Sequence, residues 1–164
     1  MRTPLILLAL LVAAVASLPA QAPDRGTPPV MGPPPALTLP QIQKQQLSNG
    51  LAVWVVELHE VPVVQVNLVV KSGSADDPAG KYGVASLATA MLTEGAGSRS
   101  SLELADAIEF LGASIATGSS TDASAVRLHT PVARLAEALP LMADVALRPT
   151  FPVADFNRLR QQRL

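Results

Sequence analysis

Over residues 64–71 the chain alternates with a period of two. Val64, Val66, Leu68 and Val70 fall on one side, Gln65, Asn67 and Lys71 on the other. This pattern predicts a half-buried antiparallel strand, and its apolar side needs a second layer to cover it. Stripes at helical spacing supply that layer. Leu104, Ile108 and Leu111 recur at i, i+4 and i+7, and Val132, Leu135, Leu139, Met142 and Ala146 form a second stripe. Aromatic residues make up only 3% of the 164 residues, so Val, Leu and Ala must build the core. The expected class is α+β, a mainly antiparallel sheet with its helices packed on one face.

Local signals mark the element ends. Asn49-Gly50 suits a hairpin turn before a strand over residues 51–56. Ser100 and Glu103 form a capping box, and Gly112 closes that helix. Strands are expected over residues 114–117 and 124–130, around a polar turn at 118–122. Thr130 as N-cap and Pro131 at the first helical position would open the third helix, which Pro140 should kink. A fourth helix is expected from Asp155 to the end. Its arginines, Arg158, Arg160 and Arg163, read as a solvated face, and Val153, Phe156 and Leu159 as an apolar stripe with little to cover it.

Three segments are expected. Residues 1–22 read as a secretory signal: Arg2 is the positive start, residues 5–18 are apolar, and Ala20-Gln21-Ala22 is the cleavage site. The apolar run is shorter than the ~20 residues that a membrane span needs. Residues 23–40 are a Pro-rich linker, and residues 41–164 form the folded domain. Export to the periplasm or the medium follows. With no Cys there are no disulfides and no thiolate metal sites, and a formal charge of −1 gives no field for nucleic acid. The two histidines, His59 and His129, are not spaced as metal ligands and read as a solvated loop residue and the outer face of a strand. Asp76 and Asp77, beside Pro78 and Gly80, read as turn formers rather than an acid/base pair.

The most informative helix lies between Gly83 and Gly95. Val84, Leu87, Ala88, Met91 and Leu92 share its apolar side. Ser86, Thr89, Ala90 and Thr93 gather opposite, and all four are small where a surface helix would carry Lys, Glu or Arg. A side of small residues lets another chain, a backbone or a substrate come close.

With its flanks this stretch resembles the insulinase/pitrilysin peptidases, the inverzincins, whose zinc helix carries H-x-x-E-H in a frame like G-L-A-H-x-x-E-H-M-L-x-x-G. The frame is present here as Gly83, Val84, Ala85, Met91, Leu92 and Gly95, and the preceding loop matches in Gly73, Ser74, Asp77 and Pro78. The three chemical positions fall on Ser86, Thr89 and Ala90. Zinc needs imidazole, thiolate or carboxylate ligands, and hydrolysis needs a base for the bound water. A serine, a threonine and an alanine provide neither, so no catalytic, cofactor-binding or metal residue is expected in this chain.

The resemblance implies further expectations. Residues 41–164 would be the N-terminal insulinase-like domain, cut short inside its fourth helix and prone to associate when alone. The family's third zinc ligand would lie at or beyond Leu164. The family includes paired subunits in which one partner has lost H-x-x-E-H yet forms half of the closed chamber. The chain therefore resembles a non-catalytic subunit of an exported zinc metallopeptidase. Ser86, Thr89, Ala90 and Thr93 would line the peptide chamber, and zinc would be carried by an H-x-x-E-H partner. The alternatives are an exported scaffold or binding protein on the same fold with no peptidase partner, and a hydrolase with an unrecognised site. No nucleophile motif such as G-x-S-x-G supports the last.

Overall fold

The computed structural model describes residues 26, 32–34, 36 and 39–163. The expected signal and most of the Pro-rich tract lie outside the described residues. The chain divides into two units, Met1–Gln41 and Ile42–Leu164. The described residues of the first unit form no helix or strand. The second carries the α+β fold.

The second unit opens with a hairpin of β1 (Ile42–Gln46) and β2 (Ala52–Val56), paired antiparallel with Gln46 opposite Ala52. Its turn is closed by Gly50 at φ +86°, by a bond from the Gly50 N–H to the Leu47 carbonyl, and by Asn49 Oδ1 accepting from the Leu51 N–H. The hairpin forms a sheet of its own.

The main sheet has three antiparallel strands in the order β3 (Val63–Val70), β7 (Ser124–Pro131), β6 (Ser114–Ser119). Leu128 of the central strand stands opposite both Val66 and Ile115. Alternation in β7 is strict: Val126, Leu128 and Thr130 are buried, while Arg127 and His129 are exposed. On β3, Val64, Val66 and Leu68 are half-buried, but Val70 at the strand end is exposed.

Between β3 and β6 run α1 (Val84–Met91), a short hairpin of β4 (Gly95–Ala96) and β5 (Arg99–Ser100), and α2 (Ser101–Phe110). After β7 come α3 (Leu135–Leu147) and α4 (Val153–Arg163). Leu104, Ile108 and Leu111 of α2 and its exit meet Val126 and Leu128 of β7 and Leu141, Met142 and Val145 of α3 in one aliphatic core. The helices thus cover one face of the sheet. Among the described residues no helix is long and apolar enough to cross a membrane.

Two sequence expectations about α3 need correction. Thr130 and Pro131 do not open the helix. They finish β7, opposite Val64 and Val63, and the Val132 N–H carries the ladder on to the Pro62 carbonyl at 3.0 Å. A 3₁₀ turn, Val132–Arg134, then leads into the helix, which continues through Pro140. The buried face is also displaced from the expected stripe. Ala138, Leu141, Met142 and Val145 are buried, whereas Val132 is 52% and Leu139 40% exposed. α4 begins earlier than expected, at Val153.

The capping box at α2 is present. The Ser100 N–H and hydroxyl both donate to Glu103 Oε2, at 2.9 and 2.8 Å, and Ser100 Oγ accepts from the Glu103 N–H. These bonds hold the Glu103 carboxyl below the usual carboxylate range, the backbone N–H first and the hydroxyl second. At the other end of the core, the buried carboxylate of Asp144 takes guanidinium bonds from Arg148 and, at 3.4 Å, from Arg99. A Cβ at Gly97, where φ is +61°, would press on that carboxylate.

Two stability measurements check this packing. Leu141→Ala should cost about 2–5 kcal/mol by denaturant unfolding, while Leu139→Ala should cost less than about 1.5 kcal/mol. The sequence stripe alone gives the opposite order. A depressed carboxyl contributes stability that is complete above its unfolded pKa and is lost as pH falls through the lower, folded pKa. Glu103→Gln should therefore lower stability at neutral pH and flatten the acid side of the stability–pH curve.

Candidate functional site

The site is the crossing of α1 and α4. Sequence neighbours of α1 help to place it. The loop after β3 turns at Gly73, where a Cβ would fall on the carbonyl oxygens of Ser120 and Thr121. The Ser74 and Ala75 N–H groups bond those same carbonyls at 2.9 Å each. This close backbone approach requires glycine at position 73.

α1 starts at Gly83, φ +93°, whose lack of a side chain leaves the helix with no cap of its own. Asp77 supplies one from the preceding loop. Its Oδ2 accepts from the Gly83 N–H at 2.7 Å and its Oδ1 from the Ala85 N–H at 2.8 Å. A carboxylate there satisfies free donors and suits the positive end of the helix. Asp76 closes the smaller turn, accepting from the Gly73 N–H. Sequence reasoning took both aspartates as turn formers and missed the cap. The available signal was an uncapped glycine start six residues after an Asp.

After α1, β4 leads back toward α4. Ala96 bridges to Pro149, and the Thr150 N–H bonds the Gly95 carbonyl at 3.0 Å. α4 is thereby laid alongside α1 in the opposite direction. Arg158 bonds Glu94, beyond the C-terminal end of α1, at 2.6 Å, and Asp155 at 3.1 Å. Its guanidinium is held further above its already high range, by the Glu94 bond first and the Asp155 bond second. Arg163 reaches the opposite end of α1: Nη1 donates to Ser86 Oγ at 3.2 Å and Nη2 to the Ser86 carbonyl at 3.3 Å. The three arginines are exposed, as a solvated face would be, but two of them hold the segment carrying α1.

The four small residues expected on one side of α1 have different surroundings. Ser86 is exposed, Ala90 and Thr93 are half-buried, and Thr89 is only 7% exposed. Thr89 Oγ1 donates to the carbonyls of Ala85 and Ser86, at 3.0 and 3.1 Å. The Thr117 hydroxyl of β6 donates to the Thr89 carbonyl at 2.7 Å. Thr89 and Met91, both buried, lie about 200° apart around the axis. The helix is therefore covered on two sides, by β6 and by α4, rather than on one. Val84, counted on the apolar side, is exposed.

At the positions where the sequence frame calls for two imidazoles and a carboxylate, the side chains are a hydroxyl held by a guanidinium, a hydroxyl bonded to its own helix, and a methyl group. They do not fit a zinc ion. Among the described residues no three His, Asp or Glu side chains come together as a metal site requires. His59 is an exposed loop residue 3.3 Å from Glu57, and His129 is exposed on β7.

Residues 53–163, more than half of the chain, match the model of the insulinase family, peptidase family M16. The chain belongs to that family. No curated protein matches it. Among solved structures it is similar to a peptidase M16 inactive domain from Pseudomonas fluorescens, with 33% identity and a TM-score of 0.71 over 75% of this chain. It is also similar to a protease from Helicobacter pylori, with 25% identity and a TM-score of 0.67 over 76% of the chain. Pitrilysin matches with 25% identity and a TM-score of 0.64 over 75% of the chain. The chain spans 30% of the length of each of the first two proteins and 13% of pitrilysin. Residues 83–95, with Ser86, Thr89 and Ala90 on α1, lie inside the matched stretch.

The borrowed cap gives a direct test of how α1 is held. Asp77→Ala should destabilise the domain by about 1 kcal/mol, and Asp77→Asn by less, since an amide oxygen can still accept one of the two bonds. Hydrogen exchange should quicken first in the opening turn of α1.

Proposed function

We propose that this chain belongs to the non-catalytic subunit of an exported zinc metallopeptidase of the insulinase/pitrilysin type. In this reading it forms part of the wall of a peptide-binding chamber. The zinc and the general base reside in a partner subunit with an intact H-x-x-E-H helix, and the substrate is a peptide. Residues 1–22 direct the chain to the periplasm or the medium.

The observation that carries the proposal is the state of α1. The family frame is kept from Gly83 to Gly95, while the three positions of zinc chemistry hold Ser86, Thr89 and Ala90. Hydrogen bonds to other groups engage both hydroxyls. Likeness to an M16 domain described as inactive supports the same conclusion.

Two experiments test it. Elemental analysis of the purified chain should find no stoichiometric zinc, and one tightly held zinc per chain would overturn the reading. Ala90→Arg in the full-length protein, co-expressed with its H-x-x-E-H partner, places a long cation on the small side of α1. Thermal stability should stay within a few degrees, because substitutions away from the core cost about 0.5 kcal/mol. Peptidase activity of the complex should fall about ten-fold or more, as a blocked or displaced substrate implies. Full activity with the partner bound would place this side of α1 away from the chamber. Failure to recover any H-x-x-E-H partner would favour the exported scaffold instead.

A further inference from the structure

Asn49 is exposed in the turn between β1 and β2, and Gly50 follows it. The backbone nitrogen next to the Asn49 side chain therefore belongs to a residue with no side chain to shield it. We infer that Asn49 is a site of spontaneous deamidation, a modification by water that gives aspartate and isoaspartate, and that the isoaspartate form opens the β1–β2 hairpin. The inference uses only that hairpin and is independent of the chamber reading.

The reaction is intramolecular. The Gly50 backbone nitrogen loses its proton to solvent and bonds to Asn49 Cγ, while the Cγ–Nδ2 bond breaks and ammonia leaves. The product is a cyclic imide. Water then cleaves one of the two bonds from the Gly50 nitrogen. Cleavage of the bond to Cγ restores the main chain and leaves aspartate. Cleavage of the bond to the Asn49 main-chain carbonyl carbon leaves isoaspartate, in which the chain runs through Cγ and is longer by a methylene. The balance is the same for both: an amide and a water become a carboxylate and an ammonium ion.

The fold singles out this asparagine. The other two in the chain lie inside regular elements: Asn67 on β3, opposite Arg127 of β7, and Asn157 in α4. Large side chains, Leu68 and Arg158, follow them. At Asn49 the bonds that must open are the turn's own. The Gly50 N–H donates to the Leu47 carbonyl at 2.9 Å, and Asn49 Oδ1 accepts from the Leu51 N–H at 3.1 Å. They close a two-stranded sheet, and an isolated hairpin is at best marginally stable in water. Opening it locally takes less free energy than opening a core strand. The turn also demands the glycine that leaves Asn49 open to attack. A Cβ at Gly50 would meet no atom within 4 Å, but φ of +86° disfavours any L side chain. The two products differ in effect. Aspartate can still accept from the Leu51 N–H. Isoaspartate lengthens the chain between Leu47 and Leu51, where the Leu47 N–H meets the Leu51 carbonyl at 2.9 Å. Among the described residues no third strand pairs with β1 or β2 to hold them together.

The test ages the full chain in mildly acidic and mildly alkaline buffer. Mass spectrometry with fragmentation follows each asparagine, enzymatic methyl transfer scores isoaspartate, and hydrogen exchange reads the hairpin. Asn49 should gain one mass unit about ten-fold or more faster than Asn67 or Asn157. Both products should form, and the gain should quicken as pH rises, because the attacking nitrogen must lose its proton. Amide exchange over β1 and β2 should quicken in the aged chain, while that of β3 and β7 holds. Asn49→Asp carries the new charge on an unaltered main chain, and its hairpin should exchange like that of the unaged wild type. A gain no faster at Asn49 than at the other two asparagines would overturn the site. Aspartate as the sole product would overturn the cyclic route. Hairpin exchange that isoaspartate leaves unchanged, or that Asn49→Asp quickens equally, would overturn the opening of the hairpin.

Discussion

The fold depends on the inward face of β7. Leu128 is fully buried and stands in register with both edge strands, so it sits where sheet and helices meet. Val126 and Thr130, two residues away on either side, extend the same face. α2 and α3 each bury their aliphatic stripe against it, and with so few aromatic residues the close fit of Leu, Val, Ile and Met must supply the cohesion. Burial of alternate β7 residues also fixes strand register, because a slip by one residue would turn Arg127 and His129 inward.

α1 is held by a different kind of interaction. Its residues are absent from the buried aliphatic cluster, apart from Leu92 at its exit packing against the edge. Polar ties locate it instead: the Asp77 cap at its start, the Thr117 bond to the Thr89 carbonyl, and the two arginines of α4 at Ser86 and Glu94. Hydrogen bonds and ion pairs are directional, so they fix the position of a helix without surrounding it with bulky side chains. Ser86 on this side of α1 is exposed and Ala90 half-buried, and both belong to the small side on which the proposed function turns.

Much of this was legible in the chain. The alternation at 64–70, the capping box at Ser100, the glycine at 112 and the stripe Leu104–Ile108–Leu111 are signals that act within a few residues, and each appears where expected. The frame around α1 pointed to the family whose model residues 53–163 match. The third helix was less legible. Thr130-Pro131 is a good helix start by local criteria, yet Thr130 also continues a strand alternation. The pairing with Val63 and Val64 decided between them.

The sequence by itself determined the α+β class, most of the helices and strands and the family, because these reside in residue identity and short spacing. Tertiary structure decided which side of each helix is buried and which distant groups meet. Leu141 rather than Leu139 enters the core, because the angle at which α3 lands on β7 selects among apolar residues that periodicity alone treats alike. Thr89 is buried because β6 and α4 cover two sides of α1, an arrangement that no single helical stripe can encode. Arg163 meets Ser86 across 77 positions of sequence. Only the return of the chain through the Gly95–Thr150 bond and the Ala96–Pro149 bridge brings those two residues within hydrogen-bonding distance.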